Sequence, residues 1–123
     1  MKHSATCALL LILSMLVLPA HAAEYQEVPD IIQKTYVCER GALVPVTYVN
    51  MDDGDSLAIA VLEGRQVVMT LAPSASGVRY VAINEQESYR WHSKGDKAVL
   101  SFMTADHEAE EKPLLSECQA QKQ

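Results

Sequence analysis

Short runs of β-branched, aromatic and aliphatic residues, each cut off by a cluster of turn formers, dominate this chain from Thr35 onward. Residues 35–38 stop at Glu39-Arg40-Gly41-Ala42, and residues 43–49 stop at Met51-Asp52-Asp53-Gly54-Asp55. The runs at 56–62 and 65–71 are separated only by Glu63-Gly64, a two-residue spacing that suits a tight hairpin because glycine accepts positive φ. A loop by composition, Ala72-Pro73-Ser74-Ala75-Ser76-Gly77, precedes a run at 78–83. After the polar connection at 84–87, runs at 88–91 and 97–103 flank Ser93-Lys94-Gly95-Asp96, and a last run covers 113–118. No stretch keeps a helical apolar period long enough for an amphipathic helix. Seven or eight short strands without a long helix leave an all-β antiparallel fold, either a sandwich or a small barrel, and closure into a barrel would remove exposed edges. Residues 23–34 read mainly as an extended arm, with Pro29-Asp30-Ile31-Ile32 able to open one helical turn. Pro45 cannot donate to a ladder, so its strand has an edge or a bulge there. Residues 104–111 read as an acidic loop.

The residues before this region read as an export signal and not as fold. Lys2 and His3 precede an apolar run at 8–18 broken only by Ser14, and Ala20-His21-Ala22 supplies the small residues a signal peptidase reads. The pattern divides the chain into a signal peptide at 1–22 and one domain at 23–123. The apolar run is too short to span a bilayer comfortably, and no cysteine stands at the cleavage point to carry a lipid. Of the three cysteines, Cys7 leaves with the signal. An even pair in an exported domain, Cys38 and Cys118, reads as a disulfide. Loss of Lys2 takes the formal charge from −6 to −7. That balance argues against nucleic-acid binding and is compatible with a basic partner, though solubility alone explains it.

Reactive constellations are sparse. Ser76, His92 and Asp96 can be assembled on paper into a triad, but no Gly-x-Ser-x-Gly elbow accompanies them, and three such residues occur together by chance. The acidic run at 106–111 lacks the fixed ligand spacing and glycine turn of a cation loop, and two remote cysteines with two histidines do not resemble a zinc site. No metal or cofactor is implied. Trp91 reads as a core residue of its strand and not as a ligand platform. What remains is a pair of loops. If the runs at 78–83 and 88–91 form a hairpin, Ser76-Gly77 and Lys94-Gly95 fall together at its open end. A hydroxyl and an ammonium there would suit a cleft lined by carboxylates. Taken alone, the same residues are better read as a turn-capping serine and an ordinary surface lysine.

Four segments in combination resemble the periplasmic and membrane-bound inhibitors of c-type lysozyme. They are Tyr36-Val37-Cys38, the Ser-x-Ser-Gly-x-Arg-Tyr segment at Ser74 to Tyr80, a Trp-x-Lys-Gly-Asp-x-Ala segment at Trp91 to Ala98 with one extra residue before Lys94, and the late Cys118. The resemblance runs from about Thr35 to Cys118. It departs at His92-Ser93, in a longer hairpin at 82–88, at Lys97, which stands in a commonly acidic place, and in the acidic segment at 106–111. It implies an eight-stranded antiparallel β-barrel that is not an enzyme but a protein inhibitor of c-type lysozyme, guarding the peptidoglycan of a Gram-negative bacterium from the periplasm. By the same carry-over, Ser76 and Lys94 would enter the lysozyme cleft, the serine toward its catalytic glutamate and the lysine toward its catalytic aspartate. Gly77, Gly95, Arg79 and Tyr80 would complete the lysozyme-binding surface. The other class open to such a chain is a periplasmic barrel that binds a small ligand in an apolar cavity or assists envelope assembly.

Overall fold

Side-chain alternation decides what fills the interior. Along residues 43–50, Val44, Val46 and Tyr48 are buried while Leu43 and Pro45 face solvent, and along residues 56–62 the buried positions are Ser56, Ala58, Ala60 and Leu62. The computed structural model describes residues 19–23, 28–84, 88–104 and 109–123. The apolar run of the leader lies outside the described residues, as do most of the 84–87 connection and part of the acidic 106–111 segment. The strands are β1 (Asp30–Val37), β2 (Leu43–Asn50), β3 (Ser56–Leu62), β4 (Arg65–Ala72), β5 (Val78–Ala82), β6 (Tyr89–Lys94), β7 (Lys97–Phe102) and β8 (Lys112–Ala120). Each pairs antiparallel with the next, and β8 returns to β1, so the eight strands close into a barrel.

Large side chains occupy the middle of the barrel. Trp91, Tyr36, Met69, Val44 and Val46 are almost wholly shielded, with Ala58 and Ala60 leaving room for the rings. The Tyr36 and Trp91 rings meet edge to face at 4.9 Å. Their polar atoms are satisfied inside the barrel: Trp91 Nε1 donates to the Tyr48 hydroxyl at 2.7 Å, and the Tyr48 and Tyr36 hydroxyls share a bond of 2.9 Å. Burial, first, and the bond to Tyr48 push the Tyr36 phenol well above the ordinary tyrosine range.

The seam between β1 and β8 is thin. Only Tyr36↔Ala120 and Val37↔Gln119 are in register there, whereas β1 is paired to β2 along its whole length. The Cys38–Cys118 disulfide sits beside this seam, and the Glu39 carboxylate accepts the Ser116 N–H at 2.9 Å. Linking residues 80 positions apart removes about 4–5 kcal/mol of unfolded-chain entropy on the chain-entropy account. β8 also carries one extra residue opposite Val99, where Glu117 adopts a positive φ of 52°.

Two expectations change, and one holds. The arm at 23–34 is not a helical turn near its end: Asp30 to Lys34 belong to β1, because β2 offers a partner to each of them, from Asp30↔Asn50 onward. β6 does not stop at Trp91 but runs to Lys94, leaving Gly95-Asp96 as a two-residue turn. Pro45 has the local edge that its missing donor requires. It is registered with Thr35 on β1, while the β2–β3 register begins only at Val46.

Candidate functional site

In an up-and-down barrel, alternate connections share an end. The β4–β5 loop (73–77) and the β6–β7 turn (95–96) therefore close the same end of this one. β5 and β6 set them side by side, since Val78 is in register with Ser93. Gly77, one step further out, meets the end of β6. A Cβ built on it would lie 2.5 Å from the Ser93 carbonyl oxygen, 3.0 Å from His92 Nε2 and 3.3 Å from Lys94 Cβ. With φ at +67°, Gly77 is required twice over, by its backbone conformation and by this close approach.

The loop is also held from within. The Ser74 hydroxyl donates to the Ser76 carbonyl at 2.6 Å, and His92 Nε2 lies 2.8 Å from the same oxygen. A carbonyl only accepts, so Nε2 carries the proton in this bond. The turn is held from the other side. The Asp96 carboxylate takes an ion pair from Lys34 on β1 at 3.4 Å, and the Asp96 carbonyl accepts the Ala120 N–H at 2.8 Å. Because Trp91 points inward, alternation turns His92 and Lys94 to the outer face of β6, beside the loop.

Of the residues expected to form the site, Ser76, Gly77, Lys94 and Gly95 come together at this tip, and all four are exposed. Among the described residues the Lys94 ammonium has no carboxylate partner; across the hairpin it faces Lys97. Arg79 lies lower on β5 and is engaged. It makes a forked ion pair with Glu111, whose carboxylate also lies 3.7 Å from Arg90 Nε. The hydrogen bond from Arg79 is the main cause that holds Glu111 below the usual carboxylate range; the charges of Arg79 and Arg90 add to it against partial burial. Tyr80 is only 4% exposed, and its hydroxyl shares a 2.9 Å bond with Ser56, so it belongs to the core and not to the exposed tip. The triad sketched from sequence does not assemble as a relay: His92 bonds the backbone of Ser76 and not its hydroxyl, and Asp96 turns to Lys34.

His92 is the residue that sequence reasoning undervalued. It entered only as a member of a discounted triad and as part of the departure before Lys94. Strand phase was the available signal, since an outward residue next to inward Trp91 shares a face with Lys94.

The profile of the family described as membrane-bound lysozyme-inhibitor of c-type lysozyme matches residues 36–109, a span that holds both connections of the tip. This chain belongs to that family. A Pseudomonas aeruginosa relative, the membrane-bound lysozyme inhibitor of C-type lysozyme, is 34% identical over 65 residues, covering 53% of this chain and 48% of the relative. The chain thus spans about half the length of that curated relative. Among solved structures, the periplasmic lysozyme inhibitor of C-type lysozyme from Salmonella typhimurium superposes with a TM-score of 0.63 at 27% identity, covering 75% of this chain and 99% of that one. Pseudomonas aeruginosa MliC, solved in complex with hen egg white lysozyme, gives 0.55 at 26% identity, covering 98% and 100%. Membership places the chain at the bacterial envelope, periplasmic or membrane-bound.

Proposed function

We propose that this protein inhibits c-type lysozyme by inserting the Ser74–Gly77 loop and the Lys94-Gly95 turn into the enzyme's active-site cleft. The observation that carries the reading is the packing of Gly77 on Ser93 and Lys94, which puts an exposed serine and an exposed lysine, without a carboxylate partner among the described residues, on one tip. A retaining glycosidase of that kind needs one carboxyl protonated and one ionised. The Lys94 ammonium suits the ionised group, and the Ser76 hydroxyl can hydrogen-bond the other. Neutralising the pair and filling the sugar site both stop turnover, and the inhibitor itself catalyses nothing. The acidic balance of the chain favours encounter with a basic enzyme. Arg79 acts below the tip through Glu111, and Tyr80 acts from the core. The interior, occupied by Trp91, Tyr36 and Met69, speaks against the ligand-carrier alternative. Cleavage after Ala22 would release the domain as a soluble periplasmic protein, which N-terminal sequencing of the purified protein checks.

Lytic assays with purified mature protein test the function, and three variants test the mechanism. Lys94→Ala is expected to weaken inhibition by about 2–5 kcal/mol, because it leaves an enzyme carboxylate buried and unpaired. Ser76→Ala removes one hydrogen bond to a carboxyl group, worth about 1–3 kcal/mol. Lys97→Ala, directly across the hairpin, should alter mainly the association rate and its salt dependence. Equal effects of the two lysine variants would refute loop insertion even in a protein that inhibits.

A further inference from the structure

We infer that His92 is a positioning residue for inhibition: its Nε2–H, acting with the Ser74 hydroxyl, locks the Ser76 carbonyl and so presets the loop that meets lysozyme. The inference rests on the function proposed above.

Two donors converge on one acceptor. The Ser76 carbonyl oxygen lies 2.6 Å from Ser74 Oγ and 2.8 Å from His92 Nε2, and the two donor atoms are 3.4 Å apart. A carbonyl with two lone pairs accommodates both. The consequence is directional. Fixing the peptide between Ser76 and Gly77 fixes where the Ser76 side chain leaves the backbone and how Gly77 enters its positive φ. The ring needs a firm base for this, and β6 provides one. His92 is in register with Arg79 on β5 and Val99 on β7, so its backbone is held on both sides. His92 and Lys94 stand two positions apart on the outer face of one strand, which makes the distance between the two inserted groups a property of β6 and not of a free loop. An exposed five-residue connection without such a tie would have to be ordered on binding, at a cost in affinity.

The test compares His92→Ala, His92→Gln and His92→Asn, each also combined with Ser76→Ala, by inhibition constants against a c-type lysozyme. Loss of one positioning hydrogen bond should raise the constant about five- to tenfold in His92→Ala. The Gln amide nitrogen reaches about as far as Nε2 and should restore most of that loss. The Asn nitrogen stands where Nδ1 does and should not. Since His92 works through the Ser76 loop, His92→Ala should cost much less in the Ser76→Ala background than alone. In the free protein, the backbone chemical shifts of Ser76 and Gly77 should move toward random-coil values in His92→Ala and not in His92→Gln. Full additivity with Ser76→Ala, or equal failure of the Gln and Asn variants, would overturn the inference. If the wild-type protein does not inhibit lysozyme, the functional reading falls, and with it the inference as a statement about inhibition. Unchanged Ser76 and Gly77 shifts in His92→Ala would overturn the positioning role in its own right.

Discussion

Gly77 and Gly95 offer a controlled experiment, because they share a backbone conformation and differ in their surroundings. Their φ values are +67° and +59°, so alanine meets the same left-handed penalty at both, about 1–2 kcal/mol. Part of that, about 0.4–1 kcal/mol, is returned because alanine is less free than glycine in the unfolded chain. A Cβ on Gly95 has nothing within 4 Å, so Gly95→Ala should cost about 1 kcal/mol or less. On Gly77 the new methyl would stand 2.5 Å from the Ser93 carbonyl oxygen. Ser93 has no room to retreat, being in register with Val78 on one side and Ala98 on the other. Overpacking adds about 1–3 kcal/mol, for a total of about 1–4 kcal/mol in Gly77→Ala. The loop can relieve the clash only by leaving β6, which would also separate Ser76 from Lys94. Urea unfolding with the disulfide intact measures both variants, and unchanged m-values would keep the comparison valid. If the two alanines cost the same within about 0.5 kcal/mol, the close packing of loop on strand is not what holds the tip together.

Inside the barrel, Tyr48→Phe strips a partner from both Trp91 Nε1 and the Tyr36 hydroxyl and should destabilise by about 2–4 kcal/mol, against about 1 kcal/mol for Tyr36→Phe, which leaves the Trp91 bond intact; equal losses in urea unfolding would show that the network is not organised around Tyr48. Glu111 titrates below its unfolded value because of Arg79, so its contribution is fully present above the ordinary glutamate pKa and fades as pH falls through the depressed one. Glu111→Gln should therefore cost about 1 kcal/mol or less near neutrality and converge with wild type in acid, and a difference that persists at low pH would point to packing instead of charge.

How much of this was legible in the chain differs from feature to feature. The Glu63-Gly64 hairpin announces itself through its spacing and its glycine: Gly64 takes a φ of 75° without penalty, whereas the 50° of Glu63 is imposed by the hairpin. The first half of β1 was not legible. Asp30 to Lys34 are mostly exposed and show no clean alternation, and they are strand only because β2 lies alongside. The length of β6 was hidden for a related reason. His92, Ser93 and Lys94 look like turn residues, yet β5 and β7 pair with His92 and Ser93 from both sides. At the site, the residue types of the tip were readable, but Tyr80's inward orientation and Arg79's engagement with Glu111 were not.

By itself the sequence determined the class of fold, the cysteine pair and the kind of chemistry on offer, because these follow from local preferences: where a turn is cheap, which residues suit a pleated strand, and which side chains donate. Whether the strands made a sandwich or a barrel was decided only by the return of β8 to β1, a contact between segments some 80 residues apart on which local preference has no bearing. The same holds for the tip. Gly77, His92 and Lys94 become neighbours through the β5–β6 register, and a register is a property of two strands together that neither contains alone.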